Sequence, residues 1–201
     1  MYREGCVSME LSKLIKERRS IVQFDDRTVS RELIADLLDS SIWVPNHYVT
    51  EPWRFIFVEG EGKKRIAEAQ KTIAEKWVSD PKKKVEQGQK AYENMMKVPA
   101  FLIVVMKEAV NPMVREEDYA ATCCMIQNFS LLAWEKGIGN IWKTYGLMYH
   151  SEFLESLGIE SGETVVGVLH VGYPTKIPPA KPRTSAKEKL TIIAEEEFTH
   201  D

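Results

Sequence analysis

Two short basic stretches of the sequence combine residue types that can bind a phosphate or a polyol. Arg18-Arg19-Ser20 places two guanidinium groups and a hydroxyl at the end of a predicted helix. Lys181-Pro182-Arg183 supplies another guanidinium at the end of a proline-rich stretch. Guanidinium groups form bidentate, charge-assisted hydrogen bonds with phosphate oxygens. These residues therefore predict an anion site, against the simpler interpretation that they are ordinary surface arginines.

A third stretch is a polar loop with the sequence PNHYVTEPWRF, which begins at Pro45 and ends at Phe55. It lies between a predicted helix and a predicted strand, a usual place for binding groups. Asn46 and His47 are the side chains at its start that can donate and accept hydrogen bonds. The alternative is a solvent-exposed turn with no binding role.

The common catalytic signatures are missing from the sequence. Gly137-Ile138-Gly139 follows a predicted helix instead of a strand, which excludes a dinucleotide fingerprint. No phosphate-binding Gly-Lys-Ser/Thr motif occurs, and the histidines have no metal-ligand spacing (His47, His150, His170 and His200). We expect His170 to be a satisfied structural histidine within a strand. Cys123 and Cys124 are expected to be inert buried thiols.

The element that must position these groups is an almost wholly apolar helix, predicted from Val114 to Gly137. A helix that is apolar nearly all round belongs in the middle of a protein. Around it the pattern predicts an α+β fold with helices on a small sheet. The other predicted helices are Met9 to Arg18, one that is capped by Ser30 and stopped by Pro45, two within 63–98 that are separated near Asp80-Pro81, and His150 to Leu157. The predicted extended segments are Ile21 to Phe24, Trp53 to Glu59, Ala100 to Met106, Ile138 to Thr144 and Glu163 to Gly172.

Composition narrows the class of protein. The chain has 201 residues, 44% of them hydrophobic, and a net charge of −3. These values predict one domain over 9–201, after a loose tail at 1–8, and no nucleic-acid or anionic-membrane surface. Three cysteines make no disulfide framework, and neither a secretory signal nor a membrane-spanning apolar run is visible. We therefore expect a cytoplasmic protein whose proline-rich tail, from Pro174 to Pro182, is extended.

Five motifs in a fixed order resemble the FMN-dependent nitroreductase family, in particular its small single-domain members. They are Arg18-Arg19-Ser20, the loop VPNHYVTEPWRF, Glu117-Asp118 before the apolar helix that ends in GIGNIW, the strand segment VGVLHVGYP, and the basic KPR. The resemblance runs from about residue 9 to about residue 190. Val49 and Glu51 depart from it, since many members have Asn and Gln there.

The resemblance implies a small, mostly antiparallel sheet packed around the central helix, in an interlocked homodimer with two FMN sites at its interface. Each site is expected to use residues of both subunits. By position in the motifs, these would be Arg18, Arg19, Ser20 and Arg183 at the phosphate and ribityl chain, Pro45, Asn46 and His47 from the partner's loop, and Trp142, Lys143, Thr144 and Gly146 along the isoalloxazine edge.

The chemistry implied is ping-pong hydride transfer from NADH or NADPH through FMN to a nitroaromatic, a quinone or a similar acceptor. The cofactor would carry the reaction, so no catalytic side chains are expected. The alternatives are a specialised flavin enzyme such as a dehalogenase or a flavin-consuming enzyme, a flavin-binding or storage protein without turnover, and a helical interaction module.

Overall fold

The structure is a computed structural model that describes residues 10–144 and 146–192. The predicted tail at 1–8 lies outside the described residues, as do Met9 and the end of the chain. The helices are α1 Leu11–Glu17, α2 Arg31–Ser41, α3 Lys63–Lys76, α4 Pro81–Met96, α5 Pro112–Glu135 and α6 Ser151–Ser156. The strands are β1 Trp53–Glu59, β2 Ala100–Lys107, β3 Gly139–Lys143 and β4 Glu163–Gly172.

The four strands form one antiparallel sheet in the order β1-β2-β4-β3. Helices α2 and α5 cover one face of this sheet, and α3 and α6 cover the other. Strand β2 is therefore buried on both faces: Leu102 and Val104 point toward α5, while Phe101 and Ile103 point toward α3. This double burial explains its unbroken apolar run. The predicted α+β class and antiparallel sheet are confirmed.

Helix α5 begins two residues before the predicted start. The Asn111 side chain accepts a hydrogen bond from the Met113 N–H at 3.0 Å, and Pro112 occupies the first turn. Asn followed by Pro is a helix-start signal, because Asn caps the free N–H groups and Pro has none to lose. Glu117 and Asp118 consequently lie in the second turn of α5 rather than at its N-terminus.

One face of α5 is buried and the opposite face is exposed. Met125, Ile126 and Phe129 are completely buried under the sheet, whereas Ala120 and Cys124 are exposed. The prediction of a helix surrounded by protein therefore holds for only one face within a single chain. The prediction of two buried thiols is wrong, since Cys124 is exposed and Cys123 is half-buried.

A bulge in β4 makes room for Trp142. The pairing of β2 with β4 shifts register between Val104 and Val105, which leaves the carbonyl of Val166 free to accept a hydrogen bond from Trp142 Nε1 at 3.1 Å. A Cβ on Gly167 would lie 2.3 Å from the same nitrogen, so only glycine fits there. The bulge thus fixes the indole ring on the α5 face of the sheet.

Other boundaries differ from the predictions by a few residues. Helix α2 is capped by the Ser30 side chain as predicted, but it ends at Ser41, four residues before Pro45. The segment predicted to be extended between Ile21 and Phe24 forms only isolated bridges, at Ser20 and Phe24. In the part of the chain that the structure describes, no helix is long and apolar enough to cross a membrane.

Candidate functional site

The Arg18-Arg19-Ser20 stretch is held against the edge strand β3. Ser20 bridges Asn140, and the Ile21 N–H donates to the Asn140 carbonyl at 3.0 Å. A Cβ on Gly139 would lie 2.5 Å from the Ile21 side chain, so the glycine permits this close approach. The end of α1 is thereby fixed next to the strand that carries Trp142.

The two predicted basic stretches meet at one cavity of about 720 Å³. Among the residues that the structure describes, its lining includes no carboxylate and five cationic side chains, those of Lys16, Arg18, Arg19, Lys181 and Arg183. Ser20 also lines it, and the proline-rich tail forms the opposite wall. The arrangement can bind a multiply charged anion, because several cations converge without an acid to neutralise them.

The charge of Arg18 is not balanced by any anionic partner in the described part of the chain. Its guanidinium is half-buried and forms no hydrogen bond or ion pair with any residue that the structure describes. Burial and the neighbouring charge of Arg19 both lower the pKa of Arg18. Arg19 is satisfied differently, since its Nη1 donates to the carbonyls of Lys16 and Arg18 at 2.6 and 2.8 Å.

A second cavity, of about 450 Å³, adjoins the first through Arg18 and Ser20, which line both. Trp142 of β3 and Thr144, the residue that follows β3, line it, and the resemblance had predicted both along the flavin. Its remaining lining residues were not predicted: Tyr119, Gln127, Ser130 and Asn140.

Asn140 gives this second cavity a directed donor. The Asn140 side-chain oxygen lies 3.2 Å from Ser130 Oγ, whose single O–H is shared between this oxygen and the Ile126 carbonyl, 2.8 Å away. The side-chain NH₂ of Asn140 has no partner among the described residues. An amide fixed by its oxygen and free at its nitrogen can donate to a ligand in the cavity.

The comparisons with known proteins identify the family. The model of the nitroreductase family matches residues 15–173, which include the end of α1, all four strands and α5. The chain belongs to the nitroreductase family. This membership confirms the resemblance and supports an oxidoreductase.

Relatives in the nitroreductase family cover nearly the whole chain. "Putative NAD(P)H nitroreductase YfhC" of Bacillus subtilis is 38% identical over 182 residues, which make up 90% of this chain and 93% of that protein. A crystal structure of a nitroreductase-like family protein from Bacillus cereus is 38% identical, with a TM-score of 0.85, over 95% of this chain and 100% of that one. A nitroreductase with bound FMN from Desulfitobacterium hafniense shares the fold at 22% identity, with a TM-score of 0.66, over 91% and 97%.

The loop of Pro45, Asn46 and His47 lies against α5. His47 Nδ1 is 2.8 Å from Glu117 Oε2, and Asn46 Oδ1 accepts from the Glu51 N–H at 2.8 Å. The loop residues line neither of the two cavities. Their predicted role was in the partner's site, so it stays a prediction.

Two further residues of the predicted set also lie outside both cavities. Lys143 pairs with Val168 on the α3 face of the sheet, where its charge acts on His170. Gly146 begins a short 3₁₀ helix, Gly146–Tyr149, and is exposed. Among the described residues no group of histidine, cysteine and acidic side chains could hold a metal ion.

The four unpredicted lining residues had only a weak signal in the sequence. Gln127 and Ser130 interrupt the apolar pattern of α5 three residues apart, which places them on one helix face. Asn140 is the only polar residue in the Ile138–Ile141 segment of the sequence. These interruptions indicated a polar stripe, but they did not indicate that the stripe faces Arg18.

Proposed function

We propose that this protein is an FMN-dependent NAD(P)H oxidoreductase that reduces a nitroaromatic, a quinone or a similar acceptor. The observation that carries the proposal is the half-buried Arg18 guanidinium, which has no partner among the described residues and lines both cavities. A cation in that state is stabilised by an anionic ligand. Names of relatives, including NAD(P)H nitroreductase and an FMN-bound nitroreductase, support the choice of cofactor.

The residues present fit FMN in chemical type. Arg18, Arg19 and Arg183, with Lys181 beside them, would hold the phosphate. Ser20 and the Asn140 amide can hydrogen-bond to the ribityl hydroxyls or to ring nitrogens and oxygens. Trp142 and Thr144 would lie along the isoalloxazine. Lys143 and Gly146 are retained as predicted neighbours of the flavin edge, although they lie outside the cavities of a single chain.

In the proposed mechanism the chain binds and orients, and it supplies no nucleophile. When bound, FMN supplies the redox chemistry, because it accepts hydride from NADH or NADPH and passes the electrons to the acceptor. The arginines neutralise the phosphate and anchor the cofactor at one end. The contact between Ser130 Oγ and the Asn140 side-chain oxygen orients the amide that lines the cavity, and its N–H groups can donate to the ligand.

We further propose that the protein is an obligate homodimer and that each flavin site uses both chains. The exposed apolar face of α5 supports this proposal, since Tyr119 is 46% exposed and Met113 is 70% exposed along it. Helix α1 adds Leu11 and Ile15, which are 62% and 51% exposed. Obligate partners bury such faces, typically over more than about 2,000 Å² in total. The free thiols fit a reducing compartment, and we propose the cytoplasm.

The purified protein should be yellow, and heat should release a chromophore with the absorbance and fluorescence of FMN. Under anaerobic conditions it should consume NADH or NADPH in the presence of nitrobenzene or 1,4-benzoquinone. Bound flavin without consumption of either nucleotide would indicate a flavin-binding or storage protein. A colourless protein that fails to bind added FMN would contradict the proposed function altogether.

A mixture of two defective subunits tests the shared site. Arg18→Ala removes a phosphate ligand from a chain's own cavity, whereas His47→Ala removes a group proposed to reach the partner's flavin. Heterodimers of the two variants should regain one tight FMN site per dimer, because one of their two sites has both residues. FMN titration of exchanged heterodimers measures this recovery.

Two controls accompany the mixing experiment. Sedimentation must show dimers for both variants and for the wild type at micromolar concentration. Isotope-labelled subunits must show by mass spectrometry that exchange took place. Exchanged heterodimers without a tight site would exclude the cross-subunit role of His47, and a monomeric wild type with FMN bound would exclude the dimer.

A further inference from the structure

The loop from Asn46 to Glu51 has a strained backbone. Tyr48, Val49 and Glu51 have positive φ angles of 58°, 50° and 43°. This left-handed region is unfavourable for residues other than glycine, asparagine and aspartate, and most of all for a β-branched residue such as Val49. Such a conformation is energetically unfavourable and persists only where surrounding contacts determine it.

Two adjacent carboxylates of α5 hold the strained loop. Glu117 Oε2 lies 2.8 Å from His47 Nδ1, and Asp118 Oδ1 accepts a hydrogen bond from Thr50 Oγ1 at 2.5 Å. Asp118 is only 4% exposed, whereas Thr50 is exposed, so the bond between them is partly buried. Asn46 completes the network by donating from Nδ2 to Thr50 Oγ1 at 2.9 Å. The loop is thus fixed from α5 and from within.

The strained loop presents an aromatic surface. The Tyr48 ring stacks on the His47 ring, with centroids 3.9 Å apart and planes 15° from parallel. Tyr48 nevertheless remains 78% exposed, and the neighbouring Val49 is 73% exposed. A large apolar surface on a loop held so firmly is typical of a binding surface.

Helix α5 connects this surface with the cavity of its own chain. Asp118 holds the loop, and the next residue, Tyr119, lines the cavity with Arg18 and Trp142. In the proposed dimer, where the loop covers the partner's flavin, the same helix would determine the position of one wall in each site.

From this geometry we propose that Glu117 and Asp118 are positioning residues of the substrate site and that Tyr48 determines specificity, because a flat aromatic acceptor stacks on its ring. This inference rests on the proposed function. The ligand class follows from the surface: a planar ring gains stacking energy on an exposed tyrosine. The nearby carboxylates of Glu51 and Glu117 favour neutral over anionic rings.

The experiment uses FMN-loaded wild type and matched pairs of variants, with nitrobenzene as the probe. Nitrobenzene is titrated into oxidised enzyme without reductant, and its Kd is read from the change in the flavin absorbance. Tyr48→Ala and Thr50→Val should each raise this Kd about tenfold, whereas Tyr48→Phe and Thr50→Ser should stay within about twofold of wild type. Tyrosine and phenylalanine share the ring, and threonine and serine share the hydroxyl.

Hydrogen exchange of the loop separates the two roles. Amides 47–51 should exchange faster in Thr50→Val, which lacks the bond to Asp118, and should exchange at the wild-type rate in Thr50→Ser. If Thr50→Val does not fold, Thr50→Ala removes the same bond with less bulk. Unchanged nitrobenzene affinity in a variant with a loosened loop would overturn the positioning role, and unchanged affinity in Tyr48→Ala would overturn the specificity role. A wild type that binds no FMN would contradict the proposed function first, and this inference with it.

Discussion

Arg18→Ala should weaken FMN binding roughly tenfold to 150-fold. A hydrogen bond to a charged group contributes about 1.5–3 kcal/mol, and 1.4 kcal/mol corresponds to a factor of ten in Kd. The effect should reach this range because Arg18 is half-buried and has no competing partner among the described residues. Fluorescence titration of the apoprotein with FMN measures the Kd.

Two control variants make the Arg18 result specific. Arg18→Lys keeps the charge but loses the planar fork, so its Kd should fall between wild type and Arg18→Ala. Arg65→Ala removes an exposed arginine of α3 that lines neither flavin cavity, and its Kd should equal that of wild type. Equal FMN affinity in wild type and Arg18→Ala would remove Arg18 from the phosphate site.

The free energy of unfolding should fall as the pH drops from about 6.5 toward 3, with a large contribution from His170. This histidine is only 6% exposed, and its Nε2 is buried with no hydrogen-bond partner among the described residues. The prediction of a satisfied structural histidine is therefore wrong in one respect, since the ring is structural but unsatisfied. Burial, together with the charge of Lys143, lowers the pKa of His170 to about 3.

The sign of this pH dependence follows from proton binding. Below pH 6.5 the unfolded chain binds a proton at His170, and the folded chain does not bind it until the pH nears 3. Acid therefore favours the unfolded state across that window, by at most about 1.4 kcal/mol per pH unit. The stability that neutral His170 provides is complete above pH 6.5.

His170→Leu should flatten the pH profile between pH 7.5 and pH 5. Leucine keeps an apolar side chain against Phe101, whose ring meets the imidazole edge-on with centroids 5.0 Å apart. Urea unfolding at several pH values gives the free energies for both proteins. Glu163 does not interfere in this range, because Arg54 lowers its pKa to about 2 and its contribution disappears only below about pH 4.5. Parallel profiles for wild type and His170→Leu would contradict this account.

Most of the secondary structure follows from local sequence patterns. Strands β1 and β4 have the predicted bounds, since their apolar runs are closed by turn residues on both sides. The break between α3 and α4 occurs at Asp80, whose side chain accepts from the N–H groups of Lys82 and Lys83. Such capping signals act within a few residues, so the sequence contains them directly.

The basic residues of the site were predictable in type, and their meeting was a consequence of the fold. Arg18 and Arg183 are 165 positions apart, yet they line one cavity because the tail passes beside the end of α1. Their order matched a known family, which is how the sequence predicted that they belong together. Composition and periodicity alone give no information about such distant contacts.

The sequence by itself determined the elements, the α+β class, the family and the basic side chains of the site. Only the tertiary structure decided which face of each element those side chains occupy. It separated Lys143 from Trp142 across the sheet, exposed one side of α5, and joined Asp118 to the strained loop at Thr50. The physical reason is that periodicity shows which positions of a segment are apolar, whereas the burial of those positions depends on what packs against them. An apolar face has the same pattern under a sheet as it has at the surface of a single chain.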